Sequence, residues 1–406
     1  MLLRSTPTAR PLRDEIERAL PDRPFAVRFW DGSGVPSTTG DGPAFLVNSA
    51  DAAAHALRAP GQLGIGRAYV SGALDVDDLD AALELLDGWT PPPLDRATLA
   101  RLAVAAARSY GLRPPPRVPR AELRPRGRRH SRKRDARAVR HHYDLPSEFF
   151  ELFLGPSMTY SCAIFSRGAQ TLEDAQAAKL ELVCRKLDLQ PGERVLDVGC
   201  GFGSFAIHAA REHGVRVLGV TLSAPQADYA NRRVAELGLD DRVEIRVADY
   251  RELGGEPFDA ISSIGMSEHV GASQIDAYAA QLARTLRPGG RLLNHAIARL
   301  RHGDPEAGPF SERYVFPDAA PLHVSRVMAA VERAGLIPNH VEGLQEDYAV
   351  TLRHWARRLD ERLELAERLA GAERVRVWRL YLRAARRGFE SGFISVFQVR
   401  ARRPGP

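Results

Sequence analysis

Three glycines in five residues, within Asp197-Val198-Gly199-Cys200-Gly201-Phe202-Gly203, leave this chain few folds to choose from. They follow an apolar run, RVLDVG (194–199), and precede an amphipathic one, SFAIHAAREHG (204–214), that stops at a glycine. A glycine loop between a strand and a helix lets backbone approach a ligand where a Cβ would clash, and the helix N-terminus offers free N–H groups. The strand-then-helix rhythm continues downstream. VRVLGVTLS (215–223), RVEIRVAD (242–249), FDAISSIG (258–265) and GRLLNHAIAR (290–299) read as strands, and QADYANRRVAELG (226–238) and SQIDAYAAQLARTLRPGG (273–290) as helices. This alternation predicts an α/β fold, a mainly parallel sheet with helices on both faces. DYAVTLRHWARRLDERLELAERL (347–369) reads as a helix with Tyr348, Leu352, Trp355, Leu359 and Leu363 on one stripe, and FISVFQVRA (393–401) as the last strand.

The glycine spacing discriminates between ligands. A dinucleotide fingerprint has glycine at positions one, three and six. Here Ser204 stands at six and Gly203 at five, with Asp197 two residues before the first glycine. D-x-G-x-G-x-G is the pattern of S-adenosylmethionine (SAM) sites, in which the carboxylate contacts a cationic amino-acid moiety. A plain Gly-rich turn is the bland alternative. The second strand ends Val220-Thr221-Leu222-Ser223, without the acid that often binds ribose hydroxyls. Asp249, after the third strand, is placed for adenine N6 or, more simply, as a helix cap.

At 406 residues the chain is long enough for two or three domains. Residues 1–110 read as a small N-terminal α+β domain, with strands FAVRFW (25–30) and AFLVNS (44–49) and helices AAAHALR (52–58) and LDAALELLDGW (79–89). Residues 111–137 read as a basic Pro/Arg-rich linker and 138–406 as the catalytic domain. The formal net charge is +6, but residues 113–140 carry 12 Arg or Lys against two acids. Without that +10 segment the remainder sums to −4. The arm lacks interleaved aromatics, which argues against nucleic acid as a partner. An anionic membrane surface is the simpler partner. Cys162, Cys184 and Cys200, odd in number and without tight spacing, argue against disulfides and against a zinc site. No run of about 18 apolar residues occurs, and no signal-peptide core opens the chain. The expectation is a cytoplasmic protein, peripheral at the inner face of the membrane.

Further segments resemble the cyclopropane-fatty-acyl-phospholipid synthase family, which includes the mycolic acid cyclopropane synthases. They are HHYDLPSEFFELFLGPSMTYSCAIF (141–165), GVTLSAPQADYANRR (219–233), SIGMSEHVG (263–271), LLNHAI (292–297), RYVFPDA (313–319), YAVTLRHWARRL (348–359), WRLYL (378–382) and GFESGFISVFQV (388–399). LGIGRAYVSGALDVDDLDAALELL (63–86) resembles the extra domain of the phospholipid-acting members. The resemblance implies a Rossmann-like SAM-dependent methyltransferase sheet with helical insertions. It also implies transfer of a methyl carbon from SAM to a cis double bond in a phospholipid acyl chain. Proton loss from the new methyl then closes a cyclopropane. Proton loss from a neighbouring carbon instead leaves a methylene that a partner reductase would turn into a tuberculostearic-type branch.

The family's bicarbonate ion, the implied base, matches to Cys162, Glu268, His295, Ile297 and Tyr314, with Cys162 and Ile297 acting mainly through backbone. The SAM pocket matches to Tyr160, Ser161, Gly199, Gly201, Thr221, Leu222 and Gln226, joined by Asp197 and Asp249 from the spacing argument. His141, His142 and Tyr143 fall near the expected cofactor lid. Taken alone, His295 on an apolar strand reads as a core histidine, Glu268 as a cap and Tyr314 as packing. An alkene needs no Ser-His or Cys-His nucleophile; it needs a dry tunnel, a held sulfonium and a base. A small-molecule methyltransferase is the weaker alternative. Homodimer or monomer is left open.

Overall fold

The computed structural model describes residues 8–124, 127, 131, 134, 137, 145–303, 308–319 and 321–405. His141, His142, Tyr143 and most of the basic arm lie outside the described residues. The chain divides into two compact units, 1–123 with 308–314 and 371–383, and 124–307 with 315–370 and 384–406.

In the first unit, strands β1 (Ala26–Phe29), β2 (Gly34–Val35), β3 (Ala44–Val47) and β4 (Leu74–Val76) form a sheet in the order β2-β1-β3-β4. Phe25, Val27, Phe29 and Val35 are buried at its core, with the Phe25 ring edge-on to Phe45 and Trp89. The helix Leu79–Gly88 starts where Asp78 accepts from the backbone of Asp80 and Ala81. Residues 308–314 and 371–383 belong to this unit rather than to a continuous domain from 138 onward. The reason is specific contact. The Phe310 ring fills the space beside Gly66, and Arg376 binds the carbonyls of Tyr69 and Leu74 and the Asp75 carboxylate. Residues 111–123 also belong here, anchored by Glu122.

The second unit carries a seven-stranded sheet in the order β10-β11-β9-β8-β5-β6-β7. Its strands are β5 (Arg194–Val198), β6 (Arg216–Thr221), β7 (Val243–Val247), β8 (Phe258–Ile264), β9 (Leu286–Arg299), β10 (Ile337–Gly343) and β11 (Ile394–Arg402). β5 to β9 pair in parallel, while β11 runs antiparallel to β9 and β10. One apolar layer packs the helices Leu172–Leu187 and Ser204–His213 on the sheet, and another packs Ile275–Thr285 and Val324–Arg333. The strand order reverses between β5 and β8, and in open α/β sheets ligands bind at the C-terminal ends of such strands.

Two element boundaries differ from the sequence pattern. The helix expected over 273–290 ends at Thr285, and β9 begins at Leu286. Pro288 has no N–H to donate and disfavours helix at the residue before it. The helix expected over 347–369 is two, Gln345–Asp360 and Leu363–Ala370. Arg362, at the break, donates to the Leu152 carbonyl at 2.9 Å.

Candidate active site

The glycine loop follows β5. Gly199 has φ +76°, and a Cβ there would lie 2.5 Å from Met266 Sδ. Only glycine meets both conditions without strain. The Gly199 and Cys200 N–H groups donate to the Val220 carbonyl, which pins the loop to β6. Ser204, the first residue of the following helix, donates to the Ser157 carbonyl at 2.7 Å. Arg233 reaches the same carbonyl at 3.1 Å, and Gln176 binds the carbonyls of Thr159 and Ser161. Segment 157–161 is thereby held beside the loop, with the Tyr160 ring packed on Trp355, centroids 5.3 Å apart.

These elements enclose a cavity. Tyr160, Ser161, Asp197, Gly199, Gly201, Thr221, Leu222 and Gln226, the residues matched to a SAM pocket from the sequence, all line it. Thr221 Oγ1 donates to Gln226 Oε1 at 3.0 Å. Asp249 is not among the lining residues, although Ala248, Tyr250 and Arg251 are. Its carboxylate accepts from the Arg251 backbone and guanidinium, capping the short helix Tyr250–Glu252.

Sequence reasoning missed Lys179, which also lines the cavity. It sits on the buried face of Leu172–Leu187, 1% exposed, and donates to Ser161 Oγ at 3.0 Å. Burial pushes its ammonium down to about 8. Across the same cavity, burial pushes the Asp197 carboxyl up to about 7, partly offset by Lys179. One buried cation and one buried acid suit a zwitterionic amino-acid moiety. Its ammonium restores charge to the acid and its carboxylate to the lysine. The residues therefore fit SAM.

A second cluster adjoins this cavity at Ile264 and Gly265. Ile264 pairs in register with His295, and the Gly265 N–H donates to the His295 carbonyl at 2.8 Å. Glu268, in the short helix Ser267–Val270, accepts from the Ile297 N–H through Oε1 at 3.3 Å. Its other oxygen, Oε2, is buried without a hydrogen-bond partner, and so is His295 Nε2. Burial pushes the Glu268 carboxyl up to about 7 and the His295 imidazolium down to about 3. The His295 tautomer follows from its neighbours. Lys186 donates to Gln398 Oε1 at 2.6 Å, so the Gln398 amide donates to His295 Nδ1 at 3.1 Å. Nε2 then carries the proton and is a buried donor.

Cys162 is fully buried, its Sγ donating to the Ala163 carbonyl at 3.1 Å and contacting that of Leu344 at 3.7 Å. Burial pushes its thiol well up, which suits no nucleophile. Tyr314 belongs to the first unit, where its hydroxyl donates to Glu122 at 3.0 Å. Tyr348 belongs to the second unit. Its backbone N–H donates to the same Leu344 carbonyl that Cys162 contacts, and its ring packs on Phe389, centroids 4.6 Å apart.

Comparison with known proteins agrees with this geometry. Residues 130–399 match the family described as mycolic acid cyclopropane synthetase. A probable fatty acid methyltransferase of Mycobacterium tuberculosis is 40% identical over 410 residues, 97% of this chain and 94% of that one. The cyclopropane-fatty-acyl-phospholipid synthase of Escherichia coli K12 is 35% identical, covering 84% of this chain and 82% of that one. The cyclopropane synthase MmaA2 from Mycobacterium tuberculosis superposes with a TM-score of 0.63 at 34% identity, over 66% of this chain and 98% of that one. The mycolic acid cyclopropane synthase CmaA1, solved with S-adenosylhomocysteine, gives 0.62 at 33%, again over 66% and 98%. The chain belongs to the mycolic acid cyclopropane synthetase family and is a SAM-dependent methyltransferase.

Proposed function

We propose that the enzyme adds the SAM methyl carbon to a cis double bond of an unsaturated phospholipid acyl chain and closes a cyclopropane ring. One observation carries this reading. The cofactor-type cavity adjoins a buried cluster, Glu268 and His295, in which Glu268 Oε2 and His295 Nε2 both lack a hydrogen-bond partner. An alkene carries no acidic proton, so the two unpartnered polar atoms, Glu268 Oε2 and His295 Nε2, are left to hold an ion rather than to deprotonate a nucleophile.

SAM, when bound, supplies a methyl group on a sulfonium. Asp197 and Lys179 orient its amino-acid end, the Gly199 loop admits it closely, and Tyr160 and Ser161 flank it. Attack by the alkene leaves a cation on the acyl chain. The Tyr160 ring lines the cavity, backed by Phe150 and Trp355, which pack on Phe153, and it offers a π face to positive charge. The cluster suits a small oxyanion such as bicarbonate. His295 Nε2 would donate to it, the protonated Glu268 Oε2 would donate as well, and a phenol, for which Tyr348 of the same unit is the candidate, would complete its shell. The ion would supply a base for a carbon-bound proton.

The basic segment fits an anionic phospholipid surface. Arg134 is spoken for, being paired with Asp318 in the second unit. No helix among the described residues is long and apolar enough to cross a membrane. The deciding experiment incubates the protein with SAM and monounsaturated phospholipid vesicles. Each modified acyl chain gains the mass of one CH2 group, and upfield cyclopropane protons appear in the NMR spectrum. Vinyl signals would redirect the product to a methylene and call for a reductase partner. No mass gain on any monoenoic lipid overturns the proposal.

A further inference from the structure

Away from the cofactor cavity, four metal-type side chains meet where the helix Leu172–Leu187 packs on the helix Ser204–His213. Glu181 and Cys184 lie one turn apart on the first helix, and His208 and His213 on the second. One ligand atom from each of Cys184, His208 and His213 lies within 4.8 Å of the other two. Glu181 adds an oxygen: its Oε2 is 3.0 Å from His213 Nε2 and 3.5 Å from His208 Nε2. The two imidazole centroids are 6.3 Å apart.

Glu181 is held by His213 at 3.0 Å and by Arg185 at 3.5 Å, which leaves His208 as the imidazole with an unsatisfied nitrogen. His208 Nε2 is buried and makes no hydrogen bond. Cys184 is buried and free of any disulfide. None of the four has a part in methyl transfer.

We propose that Cys184, His208, His213 and Glu181 form a site for one divalent ion of the zinc class. Zinc takes four ligands in a tetrahedron, with sulfur at about 2.3 Å and nitrogen or oxygen at about 2.0–2.2 Å. Those bond lengths set the donor atoms about 3.3–3.8 Å apart, so the present spacing closes by about 1 Å through side-chain rotation. One thiolate and two imidazoles select zinc over magnesium or calcium, which take oxygen shells. Binding releases the Cys184 proton, so affinity falls as pH falls. The site is structural: the ion fastens together two helices, the second of which starts at the glycine loop. Cysteine spacing alone concealed it, because two of the ligands are histidines on the next helix.

The test uses the full-length protein, stripped of metal with a chelator and titrated with Zn2+ against a chromophoric competitor. Co2+ is followed in parallel by absorption. The expected result is one Zn2+ per chain, tetrahedral cobalt d–d bands with thiolate charge transfer, and a raised unfolding midpoint. Cys184→Ser and His208→Ala each weaken Zn2+ binding roughly tenfold or more, and Cys184→Ser removes the charge-transfer band. SAM affinity stays unchanged in both. Should the buried Cys184→Ser or the His208→Ala substitution unfold the protein, His213→Gln, also at a half-buried position, reports on the same site. Absence of stoichiometric Zn2+ binding overturns the proposal. So does wild-type affinity in the folded variants, or a weak octahedral cobalt spectrum.

Discussion

At the scale of single residues, the site is built from groups whose burial sets their charge. Glu268, pushed up to about 7, holds its proton at pH values where an exposed carboxylate has lost it. Between the unfolded value near 4.5 and about 7, the native state binds the proton that the unfolded chain has released. Stability contributed by this group therefore falls as pH rises through that window, on the order of 3 kcal/mol in total. Glu268→Gln removes that term. Urea unfolding should show the variant gaining on the wild type between pH 5 and pH 8; a difference that does not vary with pH would mean that Glu268 titrates normally. Turnover should fall roughly 100-fold or more while SAM affinity holds, because Glu268 lies outside the cavity lining. Equal loss of both would place it in the cofactor pocket instead. Lys179 makes the opposite prediction. Lys179→Met takes the buried cation from the cavity and should weaken SAM binding roughly tenfold or more by calorimetry. It should weaken a decarboxylated SAM analogue far less. Equal weakening of the two ligands would deny Lys179 its carboxylate partner.

At the scale of elements, the loop after β5 is the most constrained piece of backbone. Gly199→Ala would force a positive-φ alanine whose Cβ meets Met266 Sδ at 2.5 Å. SAM affinity should drop at least tenfold in calorimetry, with a fall in stability of about 1–2 kcal/mol; wild-type affinity would show the loop to be tolerant. Strands and helices around this loop were legible from the sequence because each buried run is short and bounded by glycine or polar residues. β5, the helix Ser204–His213 and β6 match their sequence expectations to within a residue or two. The start of β9 was not legible, because leucine and arginine at 286 and 287 continue the helical pattern until Pro288 stops it. Lys179 left a faint signal. It occupies an apolar position in the series Leu172, Ala175, Gln176, Lys179, Val183, all buried, where the helical period calls for a hydrophobe. The His295 tautomer left none, since Lys186, Gln398 and His295 meet only across the sheet.

At the scale of the whole molecule, the chain crosses between its two units several times, and one of those crossings decides the part Tyr314 plays. Glu122 has no side-chain exposure and is held by Arg67 through two bonds of 2.7 and 2.8 Å. Burial alone would raise its carboxyl, but the hydrogen bonds from Arg67 and Tyr314 hold it below the usual range. This ion pair forms across 55 residues, and the Tyr314 bond across 192, so no local pattern announces either. Arg67→Met would leave the buried carboxylate with only the Tyr314 hydroxyl and the Arg313 guanidinium at 3.8 Å and should cost about 3 kcal/mol in chemical denaturation; a loss below about 1 kcal/mol would mean that Glu122 simply takes up its proton. Tyr314 is thus engaged within the first unit, whereas Tyr348 belongs to the second, the unit that holds Glu268 and His295, and it is the Tyr348 backbone N–H that meets the Leu344 carbonyl contacted by Cys162. The two phenols separate experimentally. Removing a hydroxyl that supports proton removal from carbon lowers kcat and leaves folding nearly intact. Removing one that only satisfies Glu122 lowers stability by about 1–3 kcal/mol and leaves kcat nearly intact. Tyr348→Phe should follow the first pattern, with kcat down roughly 10- to 100-fold at unchanged SAM affinity, and Tyr314→Phe the second. The reverse assignment would hand the phenol role to Tyr314, and the hydroxyl would then have to leave Glu122 during turnover. Glu122→Gln would in that case change kcat as well as stability, an effect that a purely structural Glu122–Tyr314 bond does not produce.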